Sequence, residues 1–344
     1  MKAMVLTGIR QMEMMTWPDP IIRDDKDVLI KLEAIGVCGS DIHYYNSGKI
    51  GSQVVEFPFP VGHESGGTVV KVGKGVKKVR PGDRIAIEPA ITCGKCDQCL
   101  SGRANTCRNI KFLGCPGQID GCLSEFIVMP EENCFLIPDH MSFEEAAISE
   151  PLAIGLYAVK KSVPMQGAKV GILGFGPIGM SVMLPALAKG AEKIYVTDKL
   201  EPRLRIAKEN GAAWTGNPDK LNIVKIINDL EPLQLDVVFE CCGQQEAVDQ
   251  AVAIVKPGGR IMMIGIPEVD RISFQIDFMR RKEITFVNVR RQVNCVQEAL
   301  DMMADGRIDV SGMATHRYQF PQTKEAFDLV DGYHDGVMKA MIRF

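Results

Sequence analysis

The segment KVGILGFGPIGMSVMLPALAKGAEKIYVTD, Lys169 to Asp198, places a glycine-rich turn between two apolar runs. The first run leads into Gly174-x-Gly176-x-x-Gly179, a helix-forming stretch follows, and the second run ends at Asp198. This order predicts a βαβ unit. In such a unit the first glycine permits a tight turn, the second lets a pyrophosphate approach the backbone, and the third lets helix and strand pack closely.

The same segment predicts a dinucleotide site. The helix N-terminus offers free N–H groups and the positive end of the helix dipole to a pyrophosphate. Asp198, unless it is only a loop acid, accepts hydrogen bonds from both ribose hydroxyls and repels a 2′-phosphate, which favours NAD over NADP. Arg203 is open to three interpretations: stacking on adenine, pairing with a phosphate, or lying on the helix face. The predicted cofactor-binding residues are Gly174, Gly176, Pro177, Ile178, Gly179, Asp198 and Arg203.

The α/β pattern continues towards the C-terminus. LQLDVVFECCG and GGRIMMIGI are apolar runs closed by glycine, and the helix-like QQEAVDQAVAIVK lies between them. Such runs are typical of a parallel sheet that is buried on both faces. We therefore predict a doubly wound parallel-sheet domain over residues 153–287.

The flanking segments have a different character. DVLIKLEAIGVCG, ESGGTVVKVG and PGDRIAIEP are short strand-like runs punctuated by Gly and Pro, which predicts an antiparallel, barrel-like domain. Further on, VQEALDMMADGRID predicts a helix, and MKAMIRF predicts a terminal strand that returns to the N-terminal domain. Residues 1–152 and 288–344 are assigned to this domain. At the join, Ser142-x-x-Glu145 is a capping box that predicts a helix start.

Composition limits the function. The 344 residues include 40 basic and 43 acidic side chains, with a net charge of −3 and no basic run that suits nucleic acid or an anionic membrane. No apolar run reaches about 18 residues, and the N-terminal MKAMVLTGIR resembles a strand rather than a leader. We expect a cytoplasmic protein, with no nucleic-acid or membrane partner. In a reducing compartment its eleven cysteines are not expected to form a disulfide framework.

The segment TCGKCDQCLSGRANTC holds four closely spaced cysteines. Four thiolates satisfy tetrahedral zinc and leave no open position, which is typical of a structural site. Two alternatives are four buried thiols in a loop, which would require coincidence at every spacing, and an iron–sulfur cluster, which nothing else in the chain supports. We predict a structural zinc ion bound by Cys93, Cys96, Cys99 and Cys107.

A second set of donors lies in the N-terminal half. Cys38 occurs in GVCGSDIHYY, His63 and Glu64 in GHESGG, and Glu150 in SEPLAIG. Taken singly, each has an ordinary explanation as a core thiol, a buried histidine, a surface charge or a helix cap. Taken together, one thiolate, one imidazole and carboxylates are the donors of an open, catalytic zinc site.

These motifs resemble a known family. GHESGGTVVKVGKGV, RPGDRIA, the four-cysteine segment and the glycine fingerprint, in this order and across nearly all of the chain, are similar to the zinc-dependent medium-chain dehydrogenases. CGSDIHYYNSGKIG, EPLAIG and THRYQF resemble the polyol-oxidising branch, which includes sorbitol (L-iditol 2-) dehydrogenase. The resemblance implies an α/β protein that combines a GroES-like antiparallel barrel, as the catalytic domain, with a Rossmann domain.

The resemblance also implies roles for individual residues. Cys38 and His63 match the catalytic zinc ligands, and Glu64 and Glu150 match two carboxylates that bind the metal directly or through its water. Ser40 and His43 match a proton relay. The residues matched to the substrate site are Tyr44, Arg290 and Arg291, where the alignment leaves open which arginine faces the substrate.

The implied activity is zinc-dependent oxidation of a secondary hydroxyl of a polyol to a ketose, with hydride transfer to NAD and two zinc ions per chain. Three alternatives stay open. Arg290 and Arg291 suit a sugar-acid (aldonate) dehydrogenase, because they are able to clamp a carboxylate. The second alternative is an L-threonine 3-dehydrogenase, since those enzymes share the cysteine segment. The third is an NAD-binding structural protein without activity, which would be expected to lack the catalytic ligands that this chain has. The family further suggests a homotetramer.

Overall fold

The computed structural model describes residues 1–267 and 269–344. The chain divides into two compact units. The first contains Met1–Glu150, Val296–Gly306 and Val310–Phe344, and the second contains Pro151–Cys295 and Arg307–Asp309. These limits differ from the predicted domain boundaries by two residues at the first join and by eight at the second, and the predicted boundaries stay predictions.

Strands and helices are numbered along the chain. The strands are β1 Lys2–Gly8, β2 Gln11–Thr16, β3 Asp27–Gly36, β4 Lys49–Ile50, β5 Gln53–Val54, β6 Glu64–Val72, β7 Arg84–Ile87, β8 Ala90–Ile91, β9 Lys111–Phe112, β10 Phe126–Pro130, β11 Cys134–Leu136, β12 Lys169–Leu173, β13 Lys193–Thr197, β14 Trp214–Gly216, β15 Leu235–Glu240, β16 Val255–Met263, β17 Thr285–Asn288, β18 Ala314–Gln319 and β19 Lys339–Arg343. The helices are α1 Gly39–Ser47, α2 Asp97–Leu100, α3 Phe143–Lys161, α4 Pro177–Ala188, α5 Glu201–Glu209, α6 Ile223–Leu230, α7 Gln245–Ile254, α8 Ile276–Lys282, α9 Val296–Ala304 and α10 Thr323–Asp331.

The main sheet of the first unit has the strand order β11-β7-β6-β3-β19-β18, and β10 also pairs with β3. Its pairs are antiparallel except for β18 with β19. Strand β3 shows the alternation that this arrangement needs, because Val28, Ile30 and Leu32 are buried while residues between them are not. The terminal strand β19 pairs with β3, as predicted from MKAMIRF.

The second unit contains a parallel sheet in the order β14-β13-β12-β15-β16-β17. In chain order this is 3-2-1-4-5-6, the doubly wound arrangement in which the order reverses beside the first strand. Leu235, Val238 and Ile261 are fully buried within it, together with Ile254 of α7. Residues buried on both faces of the sheet explain why LQLDVVFECCG and GGRIMMIGI read as continuous apolar runs.

The predicted fold class is confirmed, with a mainly antiparallel first unit and a doubly wound second one. The predicted capping box is present at the start of α3, where Ser142 and Glu145 exchange hydrogen bonds: Ser142 N donates to Glu145 Oε2 at 2.6 Å, and Glu145 N donates to Ser142 Oγ at 3.2 Å. Within the residues that the structure describes, the helices lack the combination of length and apolar character that crossing a membrane requires.

Candidate active site

The four cysteines of the TCGKCDQCLSGRANTC segment meet in space. Their sulfur atoms lie 3.5 Å apart for Cys96 and Cys99, 3.5 Å for Cys93 and Cys107, 3.9 Å for Cys96 and Cys107, and 4.0 Å for Cys93 and Cys99. A tetrahedron with metal–sulfur bonds of about 2.3 Å has sulfur–sulfur edges of about 3.8 Å. The four thiols therefore fit a zinc ion.

Backbone N–H groups favour negative charge on two of these sulfur atoms, those of Cys93 and Cys107. The N–H of Lys95 is the largest influence that lowers the pKa of Cys93, to about 6, and the Cys107 thiol also contributes. The backbone N–H of Cys93 and of Asn109 donate to Cys107 Sγ at 3.3 and 3.4 Å. Because zinc binds the thiolate form, N–H groups that stabilise negative sulfur also favour metal binding.

A second group of donors consists of Cys38, His63 and Glu64, whose ligand atoms all lie within 4.8 Å of one another. Cys38 follows β3 and precedes α1, while His63 and Glu64 stand at the start of β6. The antiparallel pairing of β3 with β6 sets Gly36 opposite Glu64, which brings the two chain segments together. His63 and Glu64 are buried, and Cys38 is half-buried.

The electrostatic surroundings of this group favour a cation. Burial alone would lower the pKa of His63, but the charge of Asp41 and the Cys38 thiol raise it well above its usual value. Asp41 Oδ1 lies 3.2 Å from His63 Nδ1 and accepts from the Gly62 N–H at 3.2 Å, while Asp41 Oδ2 accepts from the Cys38 N–H at 3.3 Å. Asp41 faces His63 Nδ1, as the carboxylate partner of a metal-bound histidine does, and the thiol, imidazole and carboxylate of the donor group together fit zinc.

The carboxylate of Glu64 has an unequal environment. Its Oε2 accepts a hydrogen bond from Lys339 Nζ at 2.5 Å, and both side chains are 1% exposed. Its Oε1 is buried and has no hydrogen-bond partner. A buried carboxylate oxygen without a partner is unfavourable, and a bound metal ion would satisfy it.

Glu150, the other predicted carboxylate, lies in α3 and is buried, but it is not a member of this donor group. Burial raises the pKa of Glu150 to about 8; the neighbouring Glu64 and Glu88 carboxylates act in the same direction, and His63 and Lys339 oppose it. The structure thus separates the two carboxylates that the sequence could not distinguish.

The predicted relay and one substrate residue lie on α1. Ser40 Oγ donates to Cys38 Sγ at 3.3 Å, which places this hydroxyl beside the donor group. His43 and Tyr44 follow three and four positions later, so all three share one side of the helix. Tyr44 is buried, and its hydroxyl donates to Gln53 Oε1 at 3.1 Å.

The glycine turn of the second unit has the predicted conformation. Gly174 has φ of 93°, a value that side chains other than glycine rarely adopt. A Cβ atom on Gly179 would lie 2.2 Å from the carbonyl oxygen of Gly174, so this position requires glycine for close packing. Helix α4 begins at Pro177, and Ile178 is in its first turn, which leaves the N-terminal N–H groups of the helix at the turn.

Asp198 and Arg203 border this turn. Asp198 Oδ2 accepts from the Phe175 N–H at 2.7 Å, and its Oδ1 accepts from the Leu200 N–H at 2.8 Å. Arg203 is 8% exposed, and a Cβ atom on Gly176 would lie 3.3 Å from its Nη1. Arg203 therefore lies against the glycine turn and not on an open helix face.

Arg290 and Arg291 lie in the second unit, shortly after β17. Arg290 is exposed and Arg291 is half-buried, and Arg291 has a positive φ of 52°. The sequence predicts a substrate contact for one of the two arginines but does not indicate which.

Three residues near the donor group were missed from the sequence. Asp41 follows Cys38 by three positions, a spacing that indicates a capping residue at the start of α1. Lys339 interrupts the apolar run VMKAMI, which is an unusual place for a buried cation. Phe112, whose ring centroid lies 5.2 Å from that of His63, gave no signal in the sequence.

Comparison with known proteins agrees with this arrangement. Residues 24–139 match the family described as alcohol dehydrogenase GroES-like domain, and residues 177–305 match zinc-binding dehydrogenase. The sorbitol dehydrogenase of Bacillus subtilis is 38% identical, with 99% of this chain and 97% of that protein covered. Probable D-xylulose reductase A of Neosartorya fischeri is 35% identical, with coverage of 94% and 91%.

A solved structure from Escherichia coli, described as an oxidoreductase/dehydrogenase of unknown specificity, has a TM-score of 0.93 and 32% identity. The comparison covers 99% of this chain and 98% of that one. The two family matches follow one another along the chain. The first lies in the unit that holds the metal donors, and the second lies mostly in the unit that holds the glycine turn. The chain belongs to the zinc-dependent medium-chain dehydrogenases and, within them, is similar to the polyol dehydrogenases.

Proposed function

We propose that this protein is an NAD-dependent polyol dehydrogenase, which oxidises a secondary hydroxyl group of a sorbitol-like substrate to the ketone of a ketose. The observation that carries the proposal is the buried group of Cys38, His63 and Glu64 in a chain that is similar to a sorbitol dehydrogenase over nearly its whole length. Alcohol dehydrogenases bind their catalytic zinc through two cysteines and a histidine, whereas the donor group here offers one cysteine, one histidine and one carboxylate, and this difference also favours a polyol.

In this proposal the two donor groups hold zinc for different purposes. Four cysteines close the coordination sphere of a structural ion, whereas three protein donors leave one position open for a substrate. When zinc is bound there, the chemistry it would supply is a lowered pKa of the substrate hydroxyl at the open position, so that proton loss near neutral pH would become possible. Cys38, His63 and Glu64 are the proposed ligands of that ion.

We assign Glu64, and not Glu150, as the directly bound carboxylate. Glu64 belongs to the donor group and has one buried oxygen without a partner. Glu150 lies outside that group and has a raised pKa, which suits a carboxyl that interacts with the substrate hydroxyl or with water. Both carboxylates keep the roles in catalysis that the family resemblance implies.

Ser40 and His43 are the proposed proton relay. The Ser40 hydroxyl lies 3.3 Å from Cys38 Sγ and is placed to accept the proton of the substrate hydroxyl while passing on its own. His43 is one helical turn further along α1 and is half-buried, so it is placed to release the proton to water. Tyr44 is proposed to contact the substrate.

NAD is the proposed hydride acceptor. The N–H groups at the start of α4 would bind the pyrophosphate, and Asp198 would bind the adenosine ribose through the carboxylate lone pairs that its two backbone N–H donors leave free. Arg203, which lies against Gly176, is placed to contact the adenosine part of the cofactor. The negative charge of Asp198 opposes a 2′-phosphate.

Arg290 and Arg291 stay candidates for a substrate contact. One of them would donate a hydrogen bond to a polyol hydroxyl, and the pair would bind a carboxylate if the substrate were an aldonate.

We also propose a homotetramer in the cytoplasm. The absence of disulfides among the eleven cysteines, all of which are described, supports a reducing compartment.

The experiment that tests this function is a screen of the purified enzyme with NAD against sorbitol, xylitol, iditol, threonine and several aldonates. We expect the highest kcat/KM with a polyol and a lower value for the same substrate with NADP. A preference for an aldonate that weakens with increasing salt would identify a sugar-acid dehydrogenase, because salt screens the attraction of the arginines for an anion. A preference for threonine would identify an L-threonine 3-dehydrogenase. The proposed homotetramer is tested separately, by measuring the mass of the protein in solution by light scattering.

A further inference from the structure

Lys339 occupies an unusual position for a lysine. It opens β19, lies within the apolar run VMKAMI, and is 1% exposed. Its Nζ donates to Glu64 Oε2 at 2.5 Å and to the Val37 carbonyl oxygen at 3.3 Å. A buried ammonium group is costly unless it is paired, and here both of these partners are on chain segments that carry proposed zinc ligands.

The two hydrogen bonds join these segments. Val37 immediately precedes Cys38, and Glu64 immediately follows His63. The segments meet through the pairing of β3 with β6, and the N–H of Val37 donates to the Ala340 carbonyl of β19 at 2.9 Å. The ammonium group of Lys339 therefore ties both segments to the C-terminal strand.

The neighbouring residues leave the Glu64 carboxylate little freedom. A Cβ atom on Gly36 would lie 2.2 Å from Glu64 Oε2, so this oxygen fits its place only because residue 36 is glycine. With Oε2 held by Lys339, the oxygen without a partner is Oε1. Oε1 is the atom that remains available to a metal ion.

We propose that Lys339 is a positioning residue of the catalytic zinc site, which holds Glu64 Oε2 so that Oε1 binds the metal. The inference rests on the proposed assignment of Cys38, His63 and Glu64 as ligands. Lys339 contacts neither the metal nor the substrate in this proposal and acts through Glu64. The alternative is a buried ion pair that only stabilises the fold, in which case its loss would lower stability and leave metal affinity unchanged.

The test is a chelator competition that measures the affinity of each site for zinc in the full-length protein. In Lys339→Met we expect the catalytic site to bind zinc about 10- to 100-fold more weakly, as is typical when a group that orients a metal ligand is removed. The cysteine site should keep its affinity. With cobalt in place of zinc, the visible absorption bands of the catalytic site should change in this variant, since the carboxylate is displaced.

The control is Lys26→Met. Lys26, whose side chain is 45% exposed, pairs with the buried carboxylate of Glu131 in the same unit, so this variant also leaves a buried carboxylate without its lysine, but away from any proposed ligand. It should leave both zinc affinities and the cobalt spectrum unchanged. An equal loss of catalytic zinc in both variants would show that the effect of Lys339→Met is a general destabilisation and would overturn the proposal.

A double variant shows whether Lys339 acts through Glu64. Glu64→Gln weakens the catalytic site by itself, and adding Lys339→Met should weaken it no further, because the carboxylate that Lys339 orients is already gone. The double variant leaves no unpaired buried charge, so it serves even if Lys339→Met does not fold. Losses that multiply in the double variant would overturn the proposal.

The wild type separates this inference from the proposed function. Wild-type protein that binds one metal ion, in the cysteine site alone, would refute both the ligand assignment and the role of Lys339. The role of Lys339 alone would be refuted by a different pair of results. The wild type would bind two zinc ions, and a folded Lys339→Met variant would bind zinc in the catalytic site with an affinity within about threefold of the wild-type value, whereas an orienting group contributes more than that.

Discussion

The cysteine site and the proposed catalytic site are built in different ways. The donors of the first all come from the short segment Cys93 to Cys107, and local N–H groups stabilise its sulfur atoms. The donors of the second come from the end of β3 and the start of β6, which a sheet pairing joins. Around them stand buried charged side chains, namely Asp41 and Lys339.

This difference teaches how each site depends on the rest of the protein. A site formed within one segment needs little more than that segment and the metal, as in small zinc-binding domains. A site formed by distant segments exists only when the sheet is assembled, and its donors are held by groups that are themselves buried. We therefore expect changes in the two regions to have separable effects.

The largest effect should follow Cys38→Ser. Loss of a thiolate from a site with three protein donors should release the catalytic zinc and lower kcat/KM by at least about a thousandfold, equivalent to about 4 kcal/mol. Metal analysis should find one zinc ion per chain instead of two. Cys134→Ser, at a buried cysteine outside both donor groups, should keep both ions. Full activity in Cys38→Ser would contradict the assignment.

Cys93→Ser should affect stability more than chemistry. The variant should lose the structural zinc ion, and a loss of about 2–3 kcal/mol would lower Tm by roughly 5–10 °C for a domain of this size. The catalytic ion should stay bound, and kcat/KM well below Tm should stay near the wild-type value. If both ions were lost together, the two sites would not be independent and the comparison would fail.

A smaller effect is expected for Asp41→Asn. Asp41 accepts from two backbone N–H groups and faces His63 Nδ1, whereas asparagine has a single acceptor oxygen and no charge. We expect zinc affinity or kcat/KM to fall by about 10- to 100-fold, the usual result of changing the partner of a metal-bound histidine. Chelator competition and steady-state kinetics measure the two quantities, and an unchanged enzyme would argue against a role for Asp41.

The smallest effect should follow Asp97→Asn on the cysteine segment. Asp97 pairs with Arg108 at 2.5 and 2.9 Å, but both side chains are exposed, and exposed ion pairs commonly contribute nothing measurable. Tm and zinc content should match the wild type. A clear loss of zinc would show that the cysteine site also depends on a side-chain partner and would weaken the contrast with Asp41.

Much of the fold was predictable because its signals are local. The glycine fingerprint between two apolar runs, the apolar runs at β15 and β16, and the Ser142 to Glu145 capping box each depend on a few adjacent residues, and the structure has all of them. The cysteine site was predictable for the same reason, since its spacing alone places four thiols within reach of one ion.

The proposed catalytic site was predictable only as a set of residue types. Cys38, His63, Glu64 and Glu150 were all named from the sequence, but the choice between the two carboxylates depends on which one the sheet brings to Cys38 and His63. Asp41 and Lys339 were not named, because their contacts with the donors depend on tertiary structure. No periodicity or spacing links a lysine of the last strand to a glutamate of β6.

The sequence by itself thus determined the order of the elements, the doubly wound unit, the clustering of the four cysteines and the chemical nature of the proposed catalytic donors. Tertiary structure alone decided which carboxylate joins Cys38 and His63, and which buried charges surround them. The physical reason is range: turns, caps and closely spaced thiols depend on neighbours in the chain, whereas the environment of Glu64 is set by Gly36 and Lys339, which reach it only through the pairing of β3 with β6 and β19.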